Sequence, residues 1–483
     1  METGKKSIGF GARGWLLIVY QFIAFVVYTA FTNYPLNILS GLYDQEAGEA
    51  ISNQEVSTIY TLGMIVGVVL QLILASFVGK MKSIKWMGLV IGALGLIFSI
   101  LVAVIPMYGK NPVWAACYFL DNVFITMWCT FAIGILVGQW FPTRKGTVMG
   151  IATIAFPFAN AIIGVFASNV MGAVDEMLFI PKVFLGDYSP VLKAFLPFII
   201  AGVIAWIIAA VFLKDYPEQC GAYRDNDKGL TPEIAQKMML EEIENKKTSV
   251  WKLNHTIISR DFWFITIPMG VLLMFSVGMM TQTSNILSVY GWGSADSEIY
   301  GAQNAAMYGI IMLVIAICGA VGSFILGVID TKIGTKKAIV IALVFMLLAG
   351  VFGIIPNGGC LIIALICLGI FMGASSNFTV SAAAQYWRRE DFGSVFAAIN
   401  PIANIICQVG PVLIAILWGV GAAASVTGAS FGGNQYVFVV AAIFAGISIV
   451  LTCFFSAKHV KEVDDKFRTK AGKPLDDELV GRR

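Results

Sequence analysis

Charge is what this sequence has least of. Only 13% of its 483 residues are charged and 58% are hydrophobic, where a soluble domain carries about 25% charged residues. The deficit excludes an ordinary water-soluble fold, because most of this chain takes lipid as its solvent. Histidine is almost missing. His255 and His459 are the only two. Both lie in polar segments, where the sequence predicts solvated side chains and no metal site within the membrane. Eight cysteines occur, none in a CxxC or other ligand spacing. Seven lie in or beside apolar runs and read as small residues packing between helices; Cys220 lies in a polar loop. No Walker A sequence occurs, which argues against ATP-driven transport. No paired acids or Ser/His arrangement supports an enzyme, no large soluble domain supports a sensor, and no cofactor is expected. The net charge of +3 is too small to point to a nucleic acid.

What is present is a succession of long apolar runs. A membrane helix needs about 20 mostly apolar residues. Twelve such spans are predicted, at 15–40, 55–79, 86–107, 113–140, 146–171, 191–213, 262–287, 302–329, 338–355, 361–386, 394–421 and 435–457. The first run is too long for the apolar core of a cleavable signal, so it reads as a retained span. The fold class is therefore all-α and polytopic, with an N-terminal six-helix bundle (1–214), a central loop (215–261), a C-terminal six-helix bundle (262–457) and a tail (458–483). Inside the central loop Thr231-Pro232-Glu233 predicts a short helix to about Asn245, and Trp251 marks an amphipathic lead-in to span 7. The alternating charges from Lys458 onward predict a mobile tail.

Charge also predicts orientation. With the N-terminus inside, only Lys110, Lys182 and Lys193 of the 32 Lys and Arg fall on the outer side. That bias places both termini in the cytoplasm of a plasma (inner) membrane protein. Small-xxx-small pairs at Gly63/Gly67, Gly88/Gly92, Gly134/Gly138 and Gly369/Gly373 predict close helix contacts.

Two stretches repeat. Trp140-Phe-Pro-Thr-Arg144-Lys-Gly146 and Trp387-Arg388-Arg-Glu-Asp-Phe-Gly393 share their Trp-to-Gly spacing and lie at the same place in each half. Gly327-Val-Ile-Asp330-Thr-Lys332-Ile-Gly334-Thr-Lys-Lys337 follows span 8. Its counterpart after span 2 keeps the bases but has Val78 in place of the acid.

These features resemble the major facilitator superfamily, and Asp215-Tyr-Pro-Glu-Gln-Cys-Gly-Ala-Tyr223 resembles its oxalate/formate-antiporter-like branch. The resemblance implies two pseudo-symmetric six-helix bundles rocking around a cavity lined by spans 1, 2, 4, 5, 7, 8, 10 and 11. It implies gating by Asp330, Lys332 and Gly334 and by the hinge residues Arg144, Gly146, Arg388 and Gly393. Asp330 is expected to meet a helix N-terminus or an Arg, and Val78 implies an asymmetric gate.

The polar residues agree with that picture, since polar atoms in hydrocarbon must face protein or water. Tyr28, Asn33, Asn122, Trp128, Asn160, Tyr308, Asn377, Asn404 and Gln408 are the candidate substrate contacts; for Trp128, packing is the competing reading. Asp121 is the one ionisable residue well inside a span. A carboxylate there costs about 2.5–3.5 kcal/mol on insertion scales, so it is the candidate proton-coupling site, with a structural acid as the alternative. No intramembrane cation pairs with it. The dianion carriers of the resembling branch imply fixed cations in spans 8 or 11, and none is found. A single carboxylate can still be held by Tyr, Asn, Ser and half-helix amides. Pro157, Pro268 and Pro401 read as tolerated kinks, with helix breaks that free backbone groups as the alternative. The expected function is alternating-access transport of a small organic solute, such as a monocarboxylate, by a monomer using protons as symport partner. Proton-independent uniport or exchange, and a non-transporting sensor, remain the alternatives.

Overall fold

In the computed structural model the described residues are 9–34, 36, 53–75, 83–105, 111–141, 148, 155–156, 158–160, 162, 190–226, 233, 250–293, 304–388, 391–428, 431–473 and 475. Among them there is no β-strand. The first half contains α1 (Ala12–Tyr34), α2 (Asn53–Ala75), α3 (Ile84–Val104), α4 (Pro112–Thr126), a π-helical turn (Met127–Ala132), α5 (Ile133–Trp140) and α6 (Pro190–Phe212). The second half contains α7 (Leu253–Ile258), α8 (Arg260–Thr281), α9 (Thr283–Ser288), α10 (Ala305–Ile333), α11 (Thr335–Ile354), α12 (Gly358–Ser375), α13 (Phe378–Tyr386), α14 (Phe392–Gln408), α15 (Gly410–Val426), α16 (Gln435–Phe454) and α17 (Ala457–Lys470).

Among the described residues, eleven segments are long and apolar enough to cross a membrane. They correspond to the expected spans except the fifth, 146–171, most of which lies outside the described residues. The 231–245 helix also lies outside them, apart from Glu233.

Helix starts follow from their caps. Ser83 Oγ accepts from Trp86 N at 3.2 Å, and Asn357 Oδ1 accepts from Gly359 N at 2.8 Å. Asn111 caps α4 ahead of Pro112, where a missing N–H costs nothing. The helices are then built inside out. On α3 the exposed stripe is Trp86, Val90, Leu94, Ile97, Ile100 and Val104, while Gly88, Gly92, Gly95 and Ser99 are buried. Large apolar side chains facing outward suit lipid, and small ones facing inward let helices approach. Gly92 meets the Trp128 indole, and Gly369 and Gly373 abut α10. Gly134 faces open space instead.

Among the described residues two large hydrophobic cores form, one from residues 17–213 and one from residues 250–460, with a small separate cluster of Leu273, Ala403 and Cys407. The ends of the helices that carry Lys85, Lys214, Arg260, Lys336 and Arg388 form the basic end.

Pro268 and Pro401 are tolerated inside continuous helices, and span 11 is interrupted at Val409. There α8 and α15 cross so closely that a Cβ on Gly410 would lie 2.1 Å from Met274 O. Backbone crossing, not proline, ends the helix. Pro157 lies outside the described residues. The tail is no mobile strand of charges over 457–470: α17 is helical, with Val460, Asp464 and Arg468 buried. Nor are the histidines merely solvated. His459 Nδ1 contacts Asp261 Oδ2, and His255 stacks on Phe467 at 4.6 Å.

Candidate functional site

In the second half, broken helices set the geometry. Span 7 breaks at Gln282, span 10 at Ser376–Asn377 and span 11 at Val409. At each break the backbone N–H still donates within the chain, to Met279 O, Ala374 O and Ile406 O, so side chains near the breaks supply the polar groups. Asn377 lies at one break and Gln408 ends α14 beside another. Between them Thr379 Oγ1 donates to Asn400 Oδ1 at 3.3 Å, and Asn404 Nδ2 donates to Asn400 O at 2.8 Å. Ser276 Oγ lies 3.3 Å from Ser375 Oγ, joining α8 to α12.

The halves meet through neutral polar groups. Tyr60 Oη donates to Gln408 Oε1 at 3.3 Å, and Gln282 Nε2 donates to Ser57 Oγ at 3.0 Å. Tyr28, Tyr118 and Cys407 lie within electrostatic reach of Tyr60. Tyr118 Oη in turn donates to Thr32 O at 3.3 Å. Tyr28, Tyr60, Tyr118 and Gln408 therefore form one polar cluster drawn from four helices.

The other candidates are placed differently. Asn122 is wholly buried, donates to Tyr118 O at 2.7 Å and lies against Gly63 of α2. Asn160 is buried and donates to Phe156 O at 2.9 Å. The Tyr308 side chain is buried in the second core. Among the described residues, Tyr308 Oη and Asn122 Oδ1 have no hydrogen-bond partner. Trp128 is no stacking platform. It sits in the π-helical turn, packs on Gly92 and donates to Tyr20 Oη at 2.8 Å. The side chain of Asn33, and Arg144 and Gly146, lie outside the described residues.

Asp121 is fully buried and faces α3, not the polar cluster. Ser99 Oγ is 2.6 Å from Asp121 Oδ1 and 2.9 Å from Gly95 O. Ser99 has one proton and two neighbouring oxygens that accept. Both contacts are satisfied together when Ser99 donates to Gly95 O and a protonated Asp121 donates to Ser99 Oγ. Among the described residues, Oδ2 has no partner, and an unpaired buried anion is costly.

At the basic end, Asp330 accepts from Thr335 Oγ1 at 2.6 Å, beside the α11 N-terminus. Thr335 N donates to Gln385 Oε1 at 2.6 Å, and Lys336 N donates to Tyr386 Oη at 2.7 Å. Gly334, at φ +95°, turns the chain between α10 and α11. The loop is thus fastened to the end of α13 rather than to an arginine. Lys332 is exposed. Arg388 is buried on Asp464 at 2.8 Å, and Gly393 lies in the first turn of α14.

Sequence reasoning missed Ser57, Tyr60, Ser99, Gln385 and Asp464. For Ser99 a signal existed: it ends the buried row of small residues 88, 92 and 95. Tyr60 and Gln408 are 348 positions apart, and nothing local couples them.

Among curated proteins, none matches this chain. Solved structures match in fold. The nucleoside transporter NupG has a TM-score of 0.56 at 14% identity, covering 91% of this chain and 98% of that one. A bacterial homologue of the human lysosomal transporter Spinster, inward-facing and unoccupied, has 0.58 at 13%, covering 98% and 100%. A variant of the E. coli fucose:proton symporter FucP has 0.55 at 13%, covering 92% and 98%. The sequence pattern of the Major Facilitator Superfamily matches residues 16–411 and again 304–483. That match runs over more than half of the chain, and the chain belongs to the Major Facilitator Superfamily.

Proposed function

We propose that this protein is a secondary active transporter that moves a small organic solute, a monocarboxylate or related metabolite, by alternating access with proton symport. The solute contacts are assigned to Tyr28, Asn377, Asn404 and Gln408, where hydroxyls and amides from both halves converge and can donate as well as accept. Segment 215–223 supports kinship with the oxalate/formate-antiporter-like branch, while the lack of a cation at the polar cluster among the described residues argues against a dianion. The charge bias of the loops supports cytoplasmic termini in a plasma membrane. Cys220, bonded to Pro217 O, should then react with a thiol reagent from the cytoplasmic side; labelling from outside alone would reverse the orientation.

The observation that carries coupling is the Asp121–Ser99 contact. It keeps the carboxyl buried in this conformation, which supports a reading in which a proton taken up in one state is retained until the helices rearrange. The test is a thermal-shift screen of metabolites on purified protein, followed by uptake into proteoliposomes with and without a pH gradient. Accumulation that follows the gradient supports symport.

Proton-independent uniport or exchange is the second reading. One observation favours it: Asp121 faces α3, away from Tyr60 and Gln408. Uptake indifferent to the pH gradient selects it.

A further inference from the structure

Three segments far apart in sequence meet at the basic end through buried charges. Asp464 of α17 accepts from Arg388 Nε at 2.8 Å, from Arg468 Nε at 3.0 Å and from Trp251 Nε1 at 2.9 Å. Asp391 of the hinge accepts from an Arg468 guanidinium nitrogen at 2.9 Å and from Val250 N at 3.1 Å. Arg388, Asp391, Asp464 and Arg468 are each at most 4% exposed. Arg388 also reaches the half-buried Asp465, at 3.8 Å. Around them Trp251 packs edge-on against Trp387 at 5.9 Å and Phe467 at 5.4 Å. A second attachment lies at the start of α17, where Asp261 of α8 takes Ser456 N at 2.9 Å and also His459 Nδ1.

Burying such a set contributes little net stability over apolar packing, because each ion loses its water. What it does supply is geometry: the bonds form in one arrangement and are lost when any segment shifts. The hinge is also where a shift would be carried, since α14 begins at Phe392 and packs against α2 of the other half.

We propose that α17 is an intramolecular clasp. It locks the hinge between spans 10 and 11 to the segment entering span 7, and it opens as one unit when the hinge moves.

The test is hydrogen–deuterium exchange on the full-length protein in detergent, wild type beside Arg468→Gln and Arg468→Lys. In Arg468→Gln, amides at 250–251 and 391–395 should exchange about tenfold faster or more, although neither segment is changed. Arg468→Lys keeps the charge but loses the fork, so it should fall between. Acceleration confined to 457–470 would overturn the clasp and leave a helix that is merely docked. If Arg468→Gln cannot be purified, the wild type carries the same test. Amides of 250–251 and 457–470 should open together, with rates within about threefold; rates more than about tenfold apart would overturn it.

Discussion

The third span of each half is fastened to the sixth by a lysine. Lys85 Nζ donates to Ala210 O at 2.7 Å; Lys336 Nζ donates to Phe455 O at 2.7 Å and Cys453 O at 3.1 Å. Both reach free carbonyls at a helix C-terminus, where a cation is favoured. The hinges then diverge. In the first half Trp140 Nε1 donates to Lys214 O at 3.0 Å, and Gln139 Nε2 to Tyr216 Oη at 3.4 Å. In the second half Trp387 Nε1 has no partner among the described residues, and Arg388 and Asp391 hold the hinge to α17. Each hinge docks on the segment after its sixth span. Among the described residues, the first shows neutral bonds, to a backbone carbonyl and a phenol, and the second a set of buried charges; Arg144 and Lys145 of the first lie outside them. The repeat preserved the place of contact, and the bonds described at it differ.

That comparison can be broken most directly at the hinges. Asp464→Ala removes the carboxylate that two buried arginines and Trp251 share and should destabilise the protein by about 3–5 kcal/mol. Gln139→Ala removes one long, neutral bond and should cost under about 1 kcal/mol. Thermal unfolding in detergent measures both; equal losses would mean that the two hinges are equivalent after all. A smaller effect sharpens the shared part. Lys85→Met and Lys336→Met should each cost about 1 kcal/mol, because each loses bonds to helix-end carbonyls. A loss at one site alone would show that only that fastening matters. The smallest effect is expected at the loop between α10 and α11. Asp330→Asn keeps an acceptor for Thr335 Oγ1 but removes the charge beside the α11 N-terminus, worth about 0.3–1 kcal/mol. Cysteine accessibility on the two sides should shift by about two- to fivefold in favour of the state lacking this contact; unchanged accessibility would reduce Asp330 to a loop residue.

The spans were legible because lipid imposes a composition on every residue that faces it, as the row from Trp86 to Val104 shows. The breaks were not. Proline is the local signal for a break, but Pro401 is accommodated while the Gly278–Gly410 crossing ends the helix, and a crossing is invisible in sequence. The tail misled for a related reason. Its charges looked solvated, yet Asp464 and Arg468 find partners on a hinge more than 70 positions away. Two signals were available: Ser456 as N-cap, and Val460, Val463 and Phe467 on one face. Asp121 was legible as an exception inside a span. Its direction toward Ser99 was not, since the choice between α3 and the polar cluster depends on how α4 is turned.

The central claim is that Asp121 carries the coupled proton. Asp121→Asn keeps the shape and a hydrogen bond to Ser99 but cannot release a proton at that position. The measurement is uptake of the identified substrate into proteoliposomes against an imposed pH gradient, with counterflow exchange run beside it. The account predicts that the variant loses gradient-driven accumulation while exchange of labelled substrate survives. A variant that still concentrates substrate, at the wild-type proton-to-solute ratio, would contradict it.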